Sequence, residues 1–433
     1  MRKVAFYTLG CKVNQYETEA MSELFEESGY EITEFHLPAD IYIINTCTVT
    51  NMGDRKSRQI IRRAKKTNPD AVVAVTGCYA QTAPEEVRAI EGVNLVIGTK
   101  DRGKIVSLIE QLSQTSDICQ VHDIMATHEF EELHIHRYTD RTRAYIKIQE
   151  GCNQFCSYCI IPYARGPVRS RKEDDILTEI KTLAENGFHE VILVGIHVAS
   201  YGFDLEGTSL SALLNKVNQI EGISRIRLSS IEPMTLNDAF VDSIKDCNKL
   251  CHHFHLSLQA GADETLRRMN RKYTTAQYKG IVERLRFHFP DVAVTTDIMV
   301  GFPGETEDEF SQTADFVRSI SFADAHIFQY SPRKGTPAAK RADQVSPETK
   351  EQRSKIISQI TADSRAEFLN RFLGQKMQVL FERAHKKQGW YEGKTGNYIT
   401  VIVPSGTDIS GTFQTVQLDK TDGAVIEGTL CSD

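Results

Sequence analysis

Cys152, Cys156 and Cys159 form a C-x3-C-x2-C triplet in Gly151-Cys-Asn-Gln-Phe-Cys-Ser-Tyr-Cys-Ile160, directly after the apolar run Ala144–Ile148. Three thiolates in one short loop hold three irons of a [4Fe–4S] cluster and leave the fourth iron open. Zinc would call for a fourth Cys or His at a comparable spacing, and Ile160–Arg165 supplies neither. An open iron can bind a substrate. A redox-inert cysteine loop is the alternative.

From Arg143 onward strand-like runs recur at Ala144–Ile148, Glu190–Val194, Arg225–Ser229, His253–Leu258, Val292–Val300 and Ala325–Tyr330, with helical stretches between them. Six such runs predict an open, partial (β/α)6 barrel with its chemistry at the carboxyl ends of the strands. The cysteine loop lies at one of those ends. So do Gly195, Ser229, Gln259 and Gly301. Glycines there let a ligand approach the backbone, and hydroxyl or amide groups can bond ribose or carboxylate. Glycine and serine are equally ordinary strand-to-helix turn residues. Cys247 and Cys251 have no second pair and read as core.

Residues 1–112 also alternate. Val4–Leu9, Ile41–Asn45, Ala71–Thr76 and Val93–Ile97 read as strands, followed by amphipathic Glu17–Glu27, Asp54–Lys66, Pro84–Glu91 and Lys104–Leu112. That pattern predicts a parallel α/β sheet. Cys11, Cys47 and Cys78 each follow one of the first three strands. Ligands gather outside strand carboxyl ends, and neighbouring strands lie only about 4.8 Å apart, so the three cysteines can converge on a second metal site. Three unrelated buried cysteines are the alternative. The glycine fingerprint of dinucleotide folds is missing after the first strand, which argues against a nicotinamide enzyme.

Residues 113–142 are polar and acidic, with scattered His122, His128, His134 and His136, and read as a linker. The barrel is expected over 143–345. Ser346-Pro347 opens a connecting helix over 346–374, reaching Leu373 before Gly374. Short strands then follow at Lys376–Glu382, Tyr391–Lys394, Tyr398–Val403, Gly411–Leu418 and Val425–Thr429, which predicts a small β-barrel over 375–433. Such barrels bind oligonucleotides or act as structural lids. This one reads as a separable module whose loss leaves the rest intact.

A formal charge of −7 argues against indiscriminate polyanion binding, but local basic faces remain. Arg55, Lys56, Arg58, Arg62, Arg63, Lys65 and Lys66 crowd one predicted helix whose Ile60, Ile61 and Ala64 can face the sheet. The run is either a phosphate-contacting face or a solvated one. A second patch, Arg165, Arg169, Arg171 and Lys172, is expected at the rim of the cysteine loop. In the terminal barrel Trp390 and Tyr398 can stack on bases or fill the core. Ten cysteines in 433 residues are too sparse for a disulfide scaffold. With no apolar run approaching a membrane span and no export signal, a cytoplasmic protein is expected.

Leu9-Gly-Cys-Lys-Val-Asn-Gln-Tyr-Glu-Thr-Glu19, Asn45-Thr-Cys47, Gly77-Cys78, the loop from Gly151 through Ile-Ile-Pro-Tyr-Ala-Arg-Gly166, and Arg169-Ser-Arg171 resemble the radical S-adenosylmethionine methylthiotransferases. The resemblance covers essentially the whole chain, and the terminal segment resembles that family's RNA-binding TRAM domain. It implies that the open iron at Cys152, Cys156 and Cys159 chelates S-adenosylmethionine, with Tyr158 beside its adenine or simply packed in the core. It implies an auxiliary [4Fe–4S] cluster on Cys11, Cys47 and Cys78 that carries the sulfur to be delivered. One S-adenosylmethionine would methylate that sulfur; a second would be cleaved to a 5′-deoxyadenosyl radical that attacks carbon 2 of an adenine.

Lys12-Val13-Asn14 is most similar to the branch acting on N6-threonylcarbamoyladenosine at tRNA position 37. The isopentenyladenosine branch usually carries Gln-Met-Asn there and the ribosomal-protein branch Pro-Lys-Asn. The implied partners are that tRNA, an electron donor such as flavodoxin or ferredoxin, and a sulfur donor, with no membrane. A non-catalytic iron–sulfur RNA-binding protein is the competing reading.

Overall fold

The computed structural model describes residues 1–112, 114, 117–136 and 142–431. Residues 113, 115, 116 and 137–141 of the expected linker lie outside the described residues. In the N-terminal part, β1 (Lys3–Thr8), β2 (Glu31–Thr33), β3 (Ile41–Thr46), β4 (Val72–Gly77), β5 (Leu95–Ile97) and β6 (Ile118–Gln120) form one parallel sheet. Its order is β2-β1-β3-β4-β5-β6. Every residue of β3 is buried, because helices cover both faces of a parallel sheet. The helices Lys12–Glu27 and Asn51–Thr67 begin just past β1 and β3, the second capped by Thr50 Oγ1 accepting the Gly53 N–H at 3.1 Å.

The expected linker is not a tether. It supplies β6, which pairs with β5, and it buries Leu133 and Ile135 in the barrel core. Two of its histidines are engaged as well: His134 Nδ1 lies 2.9 Å from Arg171 Nη2, and the His136 N–H donates to Glu23. β2 and β6 escaped the sequence reading because three residues carry too little periodicity to register.

The centre is built from β7 (Arg143–Glu150), β8 (Arg169–Ser170), β9 (Glu190–Gly195), β10 (Arg225–Leu228), β11 (His253–His255), β12 (Ala293–Val300) and β13 (Asp324–Gln329). The orders β10-β9-β7-β8 and β11-β12-β13 are joined by single parallel bridges, Ile226 to Leu250 and Ile231 to Leu256. Six parallel strands therefore curl in chain order, with the short antiparallel β8 at one edge. Among the described residues β7 and β13 do not pair, so the barrel is open.

Ser346 Oγ accepts the Thr349 N–H at 3.2 Å and starts a helix over Pro347–Asn370, three residues shorter than Leu373 suggests. Gly374, at φ +80, turns the chain so that its N–H meets the Leu418 carbonyl at 2.8 Å. β14 (Lys376–Ala384), β15 (Trp390–Thr395), β16 (Thr400–Pro404), β17 (Phe413–Thr421) and β18 (Ile426–Leu430) close into a barrel in the order β14-β15-β16-β18-β17. Val379, Phe381, Val401, Val403, Val416 and Leu418 fill it.

This small barrel is not separate. It seals the foot of the central barrel, where the strands begin. Arg225, the first residue of β10, donates to the carbonyls of Lys394 (3.0 Å) and Gln378 (2.7 Å); Arg227 donates to those of Gly396 (3.0 Å) and Thr395 (3.3 Å). Tyr398 stacks on His253, the first residue of β11, at 4.5 Å and 15°. No helix among the described residues is long and apolar enough to cross a membrane.

Candidate active site

The loop at the end of β7 is held open by its own backbone. Gly151 has φ +76, and a Cβ there would lie 1.8 Å from the Pro167 carbonyl oxygen, so only glycine fits. Phe155 sits at φ +46, a conformation costing roughly 1–3 kcal/mol that persists because neighbours over-determine it. Those neighbours are Asn270 Nδ2 on the Phe155 carbonyl (3.0 Å), Ser157 Oγ on that of Arg268 (2.8 Å) and the Ser157 N–H on that of Met269 (2.9 Å). Gln149 ties the root of the loop to β9: its Oε1 accepts the His197 N–H and its Nε2 donates to the Glu150 and Gly151 carbonyls, each at 2.7 Å.

Burial pushes the thiols of Cys152 up to about 11 and Cys159 up to about 12. Buried thiols of this kind keep their protons until a metal supplies positive charge. Arg271 Nη1 donates to Cys156 Sγ at 3.4 Å and is steadied by Glu232 (2.8 Å) and the Ser257 carbonyl (3.0 Å). Among the described residues neither cysteine triplet gathers its sulfurs within 4.8 Å, the spread around a single ion. The donor set and its spacing fit a cluster.

The second triplet leaves neighbouring strand ends. β1, β3 and β4 are consecutive in the sheet, and Cys11, Cys47 and Cys78 leave their carboxyl ends. Gly10, at φ +112, makes room for Cys47, whose Cβ would lie 3.1 Å from an added Cβ. Gly77, at φ +95, does the same against Asn45 and Thr46. Cys78 is fully enclosed, and burial first, then the neighbouring Cys47 and Cys11, push its thiol up to about 12. Asn14 anchors this end, donating to the Leu9 (2.9 Å) and Thr46 (3.0 Å) carbonyls.

Arg165, Arg169 and Arg171 do not form the expected rim patch. All three are buried, with Lys172 alone exposed. Arg165 Nε donates to Cys78 Sγ at 3.2 Å, while its Nη1 lies 2.5 Å from Glu17 and 2.6 Å from Glu150. Arg102 and Lys147 share the same two carboxylates, and Arg171 pairs with Glu179. These charges stitch the N-terminal sheet to the barrel. Alternating charge in a motif reads as surface, which is why the network was missed; no sequence signal marked Arg271 or Glu150, and Glu17 stood out only as part of the Leu9–Glu19 motif. Arg165→Ala leaves two buried carboxylates under-compensated, and we expect it to cost about 3–5 kcal/mol. A melting temperature within a degree or two of wild type would refute that.

A cavity of about 820 Å3 runs down the barrel lumen, lined at its head by Gly10, Cys11 and Ile161 and at its foot by His253, Lys394 and Tyr398. Gly195 and Ser229 line it, and Ser229 Oγ is buried without a hydrogen-bond partner, free for a ligand. Tyr158 packs edge-on against Phe302, ring centres 6.5 Å apart. Gln259 has φ +69 and its backbone is pinned to Asp297 and Met299. Gly301 has φ +70, a conformation that favours glycine, and a Cβ there would meet the Lys350 side chain at 2.3 Å.

On the helix Asn51–Thr67, Arg55, Lys56, Arg62, Arg63 and Lys66 are exposed, and none meets a carboxylate within 4.0 Å among the described residues. Arg58 is turned inward onto Tyr79, its Nη1 3.0 Å from the hydroxyl, which takes it out of the face. Trp390 lies at the start of β15 with Lys387 Nζ 3.4 Å from its ring centre. Tyr398 is unsuited to stacking on RNA, because it sits in the lumen with one face on His253 and Arg143, Arg227 and Lys394 around its ring.

An open six-stranded parallel barrel whose first strand ends in this cysteine loop defines a radical S-adenosylmethionine protein. The family model described as the radical SAM superfamily matches residues 146–317, and that described as uncharacterized protein family UPF0004 matches residues 3–98. The threonylcarbamoyladenosine tRNA methylthiotransferase MtaB of Bacillus subtilis is 43% identical, covering 99% of this chain and 96% of the relative. The tRNA-2-methylthio-N(6)-dimethylallyladenosine synthase of Acetivibrio thermocellus is 37% identical, covering 98% and 90%. In fold the chain is similar to the radical S-adenosylmethionine methyltransferase TsrM of Kitasatospora setae, with TM-score 0.60, 15% identity and coverage of 78% and 77%. The chain belongs to the radical S-adenosylmethionine methylthiotransferases, an enzyme family that uses S-adenosylmethionine and a [4Fe–4S] cluster.

Proposed function

We propose that the protein transfers a methylthio group to carbon 2 of N6-threonylcarbamoyladenosine at position 37 of tRNA. One [4Fe–4S] cluster would rest on Cys152, Cys156 and Cys159 and bind S-adenosylmethionine; a second would rest on Cys11, Cys47 and Cys78. The observation that carries this reading is that Cys11 and Ile161, which follows the other cysteine loop by two residues, line one cavity. The name of the 43% identical relative supports the threonylcarbamoyl substrate. When bound, the clusters and S-adenosylmethionine supply the radical and the sulfur that the reaction needs.

The chain supplies placement. Arg271 and Arg165 each direct an N–H at one cysteine sulfur of a different triplet, Cys156 and Cys78. Gln149 fixes the loop against β9, and the small barrel keeps water from the foot of the lumen. An electron donor, a sulfur donor and a cytoplasmic setting complete the reading.

The exposed face of Asn51–Thr67 offers phosphate contacts beside Cys47. Arg62→Ala with Arg63→Ala should weaken tRNA binding and lower the slope of log affinity against log salt by about one for each arginine–phosphate pair removed. Iron content should stay unchanged. A slope equal to wild type would show a merely solvated helix.

Mass spectrometry of position 37 in tRNA from a deletion strain tests the whole. Loss of the 2-methylthio group with the threonylcarbamoyl group retained is expected. Persistence of the modified base, or its loss from dimethylallyladenosine instead, overturns the substrate.

A further inference from the structure

The lumen floor carries more positive charge than its own carboxylates match. Arg143, Arg225 and Arg227 converge on Glu190 at 3.8, 3.7 and 3.0 Å, and Arg143 also reaches Glu382 at 3.1 Å. Arg225 and Arg227 are further satisfied by carbonyls of the small barrel. Two more cations face the cavity without such partners. Lys12 lines it and meets neither a hydrogen-bond acceptor nor a carboxylate among the described residues. Lys394 bonds Thr400 Oγ1 alone among the described residues and lies 4.8 Å from the Tyr398 ring centre. The two carboxylates that line the cavity are committed elsewhere, Asp297 to His255 (3.1 Å) and Asp324 to Arg365 (3.6 Å). Arg143 Nη1 and His253 Nδ1 are buried without hydrogen-bond partners in the same floor.

Cations held out of water without a counter-ion are costly, so such a floor is complete only when an anion arrives. Lys12 also follows Cys11 directly in the chain. In an adenine, carbon 2 and carbon 6, which bears the N6 atom, flank the same ring nitrogen. A base that presents carbon 2 near Cys11 therefore brings its N6 substituent to the neighbouring space, which Lys12 occupies.

Resting on the substrate proposed above, we propose that Lys12, backed by Lys394, forms a subsite for the carboxylate of the threonyl group on N6. The subsite separates this substrate from one with an apolar N6 group by charge. A dimethylallyl group would enter the same lumen and leave both ammonium groups unpaired, the kind of penalty that discriminates strongly.

The test uses full-length reconstituted protein and synthetic anticodon stem-loops carrying the threonylcarbamoyl base as the free acid or as its methyl ester. Wild type should bind the acid at least tenfold more tightly than the ester. Lys12→Gln should erase that preference, and Lys394→Gln, far from either cysteine triplet in sequence, should reduce it with iron content unchanged. Equal binding of acid and ester by wild type overturns the subsite, as does a preference that survives both substitutions. If Lys12→Gln loses iron, the wild-type comparison and Lys394→Gln decide. Methylthiolation of the acid stem-loop together with equal ester binding sinks only the subsite. Methylthiolation of a dimethylallyladenosine stem-loop but not of the acid sinks the substrate reading itself.

Discussion

Anaerobically reconstituted protein should hold about eight irons, and replacing Cys152, Cys156 and Cys159 with Ala should remove about half of them and abolish S-adenosylmethionine cleavage. Replacing Cys11, Cys47 and Cys78 should remove the other half and leave cleavage detectable. The asymmetry follows from geometry. Arg271 and the loop bonds that shape the first triplet come from the barrel itself, so they survive loss of the second. Arg165, which touches Cys78, is still clamped by Glu17 and Glu150 when the sulfur is gone. Unchanged iron after the N-terminal triple substitution would refute a second cluster.

Deleting residues 375–433 should be far more damaging than a separable module allows. Phe368, Leu369 and Phe372 pack in one cluster with the small barrel's Val379 and Phe381, and exposing each costs about 1.5–3 kcal/mol. Arg225 and Arg227 lose four carbonyl acceptors as well, and the foot of the lumen opens to water. The apolar loss alone rivals the roughly 5–15 kcal/mol stability of an ordinary domain. We expect little soluble truncated protein, and loss of iron from what remains. A soluble truncation that cleaves S-adenosylmethionine at the full-length rate would show that the floor is dispensable.

Much of this was legible in the chain because metal chemistry dictates residue type and spacing. The C-x3-C-x2-C loop needs no tertiary information, and Cys11, Cys47 and Cys78 each announce a strand end. The six barrel strands registered through their apolar runs. What stayed hidden was where polar residues go. Arg165 and Arg171 look like surface charges until Glu17 and Glu179, brought by other elements, meet them in the interior. Tyr398 looks like a base-stacking aromatic until its barrel is seen turned toward His253. Docking between domains leaves no periodicity, so local pattern could not reveal that the small barrel is a floor.

That floor is also made well after the parts it closes. The final cysteine of the two triplets is residue 159 and the charged network is complete at Glu179, whereas β14–β18 end at Leu430. At about 5–20 residues per second, roughly 10–50 s of synthesis separate them. During that interval the nascent lumen has no base, and its arginines face water.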